Sequence, residues 1–196
     1  MKYQRLIIGV LSLLLLLPTS ALAQDHSRIS FGVGGGTVPD WLDLVSNALL
    51  TVGTVGKYKT EVKSEPVAVL IQYDRFVTDR ISLLGAVGGQ SISRNLLSGS
   101  EVRGDMKSTY GHLMAGASFH YLRGEVIGLY SSLAGGLAVN WDEANYVDEP
   151  STSDTRALPA FQITPIGMRV GKSVGAFLEL GFGYRGMAIL GLSYDF

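Results

Sequence analysis

The sequence has no cysteine and only three histidines, His26, His112 and His120. The first absence excludes disulfides and a lipid-modified N-terminal cysteine. No histidines stand at zinc-ligand spacing, so neither a metal nor a cofactor is expected. None of the three sits with a serine and an acid in a recognisable hydrolase signature, which argues against an enzyme. Charge of one sign is also scarce: the formal net charge is −1, so nothing suggests nucleic acid or a polybasic membrane surface as a partner. After residue 23 no apolar run approaches the roughly 20 residues of a membrane-spanning helix. "GVGGGT" (32–37) lacks the lysine and the strand-to-helix context of a phosphate loop.

What is present begins with an export signal. Lys2 and Arg5 precede an apolar run from Leu6 to Leu17, and Ala21-Leu22-Ala23 closes it with the small-residue pattern of a cleavage site. Residues 1–23 therefore read as a secretory signal peptide cut before Gln24, leaving 24–196 as one domain. Glycine is abundant at 25 residues and lies inside apolar runs, and 46% of the chain is hydrophobic. That combination favours many short strands over helices.

Eight alternating runs read as strands: 28–37, 67–77, 81–93, 108–121, 126–140, 157–170, 173–184 and 187–196. Each is near the 9–11 or so residues that a tilted strand needs to cross a bilayer. The connections alternate in length: long at 38–66, 94–107 and 141–156, short at 78–80, 122–125 and 171–172, with a tight last link at Arg185-Gly186. Short turns on one side and long loops on the other are the mark of a membrane barrel, whereas a soluble barrel has no reason for the asymmetry.

Alternation separates the two faces. Val174, Ala176, Leu178, Leu180, Phe182 and Tyr184 share one side of their strand and are assigned to lipid, with Phe177 and Glu179 inward. Ala188, Leu190, Leu192, Tyr194 and Phe196 likewise face out. In 108–121, Leu113, Ala115, Ala117, Phe119 and Tyr121 face lipid, leaving Tyr110, His112, Met114, Ser118 and His120 inside. The phase of 67–77 and 81–93 is ambiguous, because Asp74 and Arg75 are adjacent and only one can point inward away from the rim. The fold class predicted is all-β, an eight-stranded antiparallel transmembrane β-barrel.

The final "GLSYDF" fits the Gly-x-x-aromatic-x-Phe ending of bacterial outer-membrane proteins, with Gly191, Tyr194 and Phe196 at the key positions and Ile189 where that family often has a polar residue. The mature region resembles the OmpA/OmpX-like eight-strand plan. The stretch from Gln162 to Phe196 is similar to the small outer-membrane β-barrel domains of Bacteroidetes-type bacteria. The resemblance implies a cell outer-membrane location in a Gram-negative envelope, contact with outer-membrane lipids, and recognition of Gly191, Tyr194 and Phe196 by the barrel-assembly machinery as an assembly signal.

Within the wall, Glu179 is the most conspicuous polar residue, and a buried carboxylate needs a partner. A lumen network of Glu179 and Arg169 with His112 or His120 from another wall is expected, as a plug more than a solute gate. A turn at 171–172 would set Glu179 opposite Pro165 and Arg169 opposite Gly175. Pro165 cannot donate to the ladder, so a bulge or bend is expected there. Residues 38–53 carry helical spacing after Pro39 and Asp40, with a strand extension as the alternative. Residues 140–155 hold Asp142, Glu143, Asp148, Glu149 and Asp154 with no basic residue, a solvated loop more than a calcium site, since the spacing matches no EF-hand.

These readings converge on a monomeric, non-enzymatic structural or surface-interaction protein that displays its long loops, with an extracellular partner meeting 38–66 and 141–156. The alternatives are a narrow channel or carrier for small or hydrophobic solutes and, below that, a lipid A-modifying outer-membrane enzyme. No appended peptidoglycan-anchoring domain is expected after Phe196.

Overall fold

A computed structural model of the chain describes residues 26–42, 58–62, 67–98, 101–146 and 151–196. The segment read as a signal peptide and most of the segment read as a helix lie outside the described residues.

The strands are β1 (Ser27–Gly35), β2 (Tyr58–Val62), β3 (Ala68–Phe76), β4 (Ile81–Ser98), β5 (Glu101–Arg123), β6 (Ile127–Tyr146), β7 (Thr152–Gly171), β8 (Val174–Gly183) and β9 (Ala188–Asp195). Eight of them close a ring in the order β1-β3-β4-β5-β6-β7-β8-β9, each antiparallel to its neighbours. The seam is β1 on β9, from Arg28 opposite Asp195 to Gly35 opposite Ala188. Closure joins the last strand to the first, as a wall immersed in hydrocarbon requires. β2 is not a member of the ring: it pairs with Arg94–Ser98 of β4, above the point where β3 stops pairing.

The apolar exterior follows the predicted alternation. Phe31, Val33, Val69, Ile71, Leu83, Val87, Leu133, Leu137, Leu178 and Leu192 are exposed, while the residues between them turn inward. The ambiguous phase resolves in favour of Asp74, which is buried, with Arg75 outward at the rim.

Three local expectations are corrected. The segments 94–107 and 141–156 are mostly strand, because β4 runs to Ser98 before β5 begins at Glu101, and β6 to Tyr146 before β7 begins at Thr152. The outward positions of these upper strands carry exposed polar residues such as Asp105, Lys107, Glu143 and Asn145, so no apolar alternation marks them. The β7–β8 turn sits at Lys172-Ser173, with Gly171 opposite Gly175, so Glu179 faces Gly167 and Arg169 faces Phe177. Tyr184 is buried, not lipid-facing. Past Gly183 the chain abandons strand geometry, and Tyr184, Arg185 and Gly186 are buried in succession.

At Pro165 the wall does deform. The β7–β8 register shifts between Ile163 and Ile166, the β6–β7 register shifts at Ser131, and Pro165 and Ile166 both point outward. The Ser131 hydroxyl donates to the Pro165 carbonyl and lies against the Tyr121 hydroxyl, which satisfies polar groups that the bulge leaves outside the ladder.

Candidate functional site

Two regions hold the polar chemistry: the barrel interior and the sheet that rises above the apolar belt. The interior is layered. At the end where β1 begins and β9 ends, Arg28 Nε donates to Asp195 Oδ1 at 2.6 Å and its Nη2 to Oδ2 at 3.0 Å, a bidentate pair. Arg169 Nε donates to Ser193 Oγ at 2.8 Å, and its other nitrogens donate to the Gly171, Lys172 and Ser173 carbonyls of the turn below. Arg169 therefore ties β7 to β9 and clamps its own turn.

In the middle layer the predicted partner of Glu179 is replaced. Glu179 Oε2 accepts from Arg185 Nη2 at 2.8 Å, and Oε1 accepts from the Tyr130 hydroxyl at 2.8 Å. Arg169 is not brought to Glu179, and no hydrogen bond joins His112 or His120 to it among the described residues. His120 Nε2 instead meets Ser82 Oγ at 3.1 Å, and its ring stacks obliquely on Phe76 and Tyr130. His112 is buried beside Gly88, where a Cβ would stand 2.7 Å from its Nε2.

Arg185 was legible only as part of a tight link, yet it is 0% exposed. Its turn can dip into the lumen because Gly34 on the facing strand offers no side chain: a Cβ there would sit 2.1 Å from the Arg185 carbonyl oxygen. Gly186 takes φ 125°, a conformation that favours glycine. Gln162 completes the latch, accepting from the Arg185 backbone N–H at 3.0 Å and donating to the Gly186 carbonyl at 3.0 Å.

Above this layer lies an apolar cluster of Leu84, Ala86, Met114, Ala138, Ala160 and Tyr184, against which Val38 packs. Val38 belongs to a helical turn over residues 38–42. Thr37 and Asp40 cap it reciprocally: the Thr37 N–H donates to Asp40 Oδ2 at 2.6 Å, and the Asp40 N–H reaches Thr37 Oγ1 at 3.4 Å. Gln90 Nε2 donates to both Thr37 Oγ1 and Asp40 Oδ1, at 2.8 and 3.1 Å. The turn thus stoppers the barrel mouth.

The filling is close to complete at mid-height. The void between Arg28, Gln72, Asp74, Ser118 and Phe177 measures about 10 Å³, room for one water at most. Ser82 beside His120 is also wholly buried.

Solved structures share this architecture. The chain matches the attachment invasion locus protein Ail of Yersinia pestis in complex with the heparin analogue sucrose octasulfate, at TM-score 0.52 and 14% identity over 87% of this chain and 98% of Ail. A second structure of Ail alone gives TM-score 0.52 and 15% identity over the same shares. The fold is the eight-stranded transmembrane β-barrel of the OmpA/OmpX-like class. No family model and no curated protein sequence matches the chain.

An outer-membrane-type barrel carries aromatic girdles at its two interfaces, and here they locate the belt. Tyr73, Phe119, Tyr121, Tyr194 and Phe196 are exposed towards the end with the short turns, and Trp141 is exposed at the other. Along β6, Leu129 to Trp141 is about 12 residues, which at roughly 3.3 Å each and a tilt near 40° gives about 30 Å. Among the described residues no charged side chain points outward within that belt. A concavity of about 580 Å³ on its β9-β1-β3-β4 face is apolar, flanked by Phe31, Ile71, Val87 and Leu192.

Beyond Trp141 the β4–β7 strands continue as a sheet. β5 extends upward from Thr109 by about eight residues, roughly 20 Å along the axis. Asp105, Lys107 and Ser108 make it largely polar. Ser108 Oγ donates to Asp142 Oδ1 at 2.6 Å and Asn140 Nδ2 to Asp142 Oδ2 at 2.7 Å. On β7, the Arg156 hydrogen bond at 2.7 Å holds Asp154 below the usual carboxylate range. Among the described residues no cluster of three or more metal-ligating side chains occurs.

Proposed function

We propose that this protein acts at the outer membrane as a non-enzymatic surface-interaction barrel, and that the sheet raised by β4–β7 is the part that meets its partner. One observation carries the reading: β7 from Thr152 to Ala160 pairs with β6 only, because the β8 side is first bonded at Phe161, whose carbonyl accepts from the Tyr184 N–H, and at Gln162. Its upper part, Thr152–Arg156 beside Asn140–Ala144, is a polar strand edge at and beyond Trp141, which can accept another chain's backbone. Export by residues 1–23 and assembly through Gly191, Tyr194 and Phe196 belong to the same reading. So do a monomeric state and a purely structural role for Glu179, Arg169, His112 and His120 in the lumen.

The likeness to Ail supports a surface role, and Ail has been seen with a heparin analogue. The hairpin here is rich in acid, with Asp142, Glu143, Asp148, Glu149 and Asp154, which favours a partner with a basic surface over a polysulfate. The filled lumen argues against the channel reading, since side chains nearly fill an eight-stranded interior.

Protease applied to intact cells tests the assignment. Cleavage confined to the β6–β7 hairpin, with the rest of the barrel protected, is the expected result. Cutting only after the cells are lysed would overturn it.

A further inference from the structure

Beyond surface interaction, the opposite end of the molecule is built to bind. The geometry points to a site for a soluble phosphate-bearing anion in the vestibule at the end where β1 begins and β9 ends. The vestibule has a volume of about 410 Å³ and is lined by His26, Arg28, Arg123, Arg169, Lys172 and Asp195, with Glu125 at its lip. Its four permanent cations face Asp195 and Glu125 in the lining and Asp79, 3.8 Å from Arg123, an excess of one positive charge in a concave, partly desolvated space. Such a cleft concentrates anions.

The cations come from three walls: Arg28 from β1, Arg123 from the end of β5, and Arg169 with Lys172 from the foot of β7. Asp195 is the half-buried carboxylate among them; the Arg28 fork occupies both its oxygens, and Arg169 Nη2 at 3.4 Å and His26 Nε2 at 3.6 Å share its Oδ2. Arg123 reaches inward over the Phe76 ring, 4.0 Å from its centroid, with Arg28 5.3 Å from the same centroid. The Phe76 ring thus lies within cation–π reach of two guanidinium groups. Like charges held this close favour a counter-anion between them.

The spatial arrangement selects the chemistry. A planar carboxylate is satisfied by a single fork, as Asp195 shows. A phosphate carries up to two charges and offers acceptor oxygens in several directions, matching donors that converge from separate walls. The space exceeds that of free phosphate, so an organic phosphate also fits. The lining consists of lumen and turn residues, which makes water along the barrel axis, and not the bilayer, the route of entry.

The test uses the folded full-length mature chain in zwitterionic, phosphate-free detergent micelles, titrated with inorganic phosphate and followed by amide chemical shifts. Saturable shifts at His26, Arg123, Gly124 and Lys172, absent with acetate at equal ionic strength, are expected. In Arg123→Gln combined with Lys172→Gln the affinity should fall by about tenfold or more. Lys172→Gln alone, a change at an exposed turn residue, should weaken binding by a smaller factor, and heat-dependent gel mobility verifies that each variant is folded. Equal shifts with acetate, or unchanged affinity in both variants, would refute the site. In nanodiscs, displacement of phosphate by anionic lipid would make a headgroup the occupant and overturn the assignment of a soluble ligand.

Discussion

Glu179 and Arg185 form an ion pair at 2.8 Å with side chains 1% and 0% exposed. The pair joins the middle of β8 to the turn that leaves it. That turn is thereby pulled into the lumen, where Tyr184 and Gln162 secure it. Removing one partner strands the other charge in a dry interior. Glu179→Gln should therefore cost on the order of 3–5 kcal/mol, whereas replacing both residues by leucine and methionine should recover most of it. Urea unfolding of the refolded barrel, read by tryptophan fluorescence and gel mobility, measures both. A Glu179→Gln barrel as stable as the parent would show that the pair is not holding the turn.

Gly34 permits the same turn by leaving space. Gly34→Val places a branched side chain where the Arg185 carbonyl stands, and the overpacking should cost about 1–3 kcal/mol. Protease susceptibility of the 184–187 turn should rise in parallel. Stability unchanged by this substitution would mean that the turn has another way to sit.

The filled lumen bears on transport. With about 10 Å³ free between Arg28, Gln72, Asp74, Ser118 and Phe177, the purified protein in planar bilayers should show no steady ohmic conductance. Glu179→Gln should leave that baseline flat while lowering heat stability. Well-resolved, voltage-independent channel openings in the parent protein would revive the solute-conducting alternative.

Phe196 offers a separation of assembly from stability. Its backbone is bonded to Ser27 in both directions, at 2.8 and 2.9 Å, and its ring stacks on Tyr194. Phe196→Ala keeps both backbone bonds, so refolding in detergent should change by about 1 kcal/mol or less. If the residue is an assembly signal, the amount in the outer-membrane fraction of expressing cells should fall severalfold. Equal amounts of parent and variant in that fraction would reduce Phe196 to an interface anchor.

Much of the wall was readable without coordinates. Period-two alternation put Leu178, Leu180 and Phe182 outside and Phe177 and Glu179 inside, because lipid and lumen impose opposite demands on adjacent residues. Beyond Trp141 the outward face meets water in place of lipid, and the apolar alternation ends. That is why segments expected as loops are strands. Register was also beyond reach: moving the β7–β8 turn by one residue changes every pairing by two, and this preserves each side chain's face, so hydrophobicity cannot report it.

The sequence alone determined that this chain forms a closed eight-stranded wall in hydrocarbon, since alternation is local and each strand carries its own copy of the signal. Only the tertiary structure decided which charges meet. Glu179 found Arg185 in place of Arg169, and Arg28, Arg123, Arg169 and Lys172 gathered at one mouth, because the lumen brings together side chains far apart in the chain. Those meetings depend on the register, the Pro165 bulge and the inward fold of a four-residue turn, none of which leaves a periodic trace.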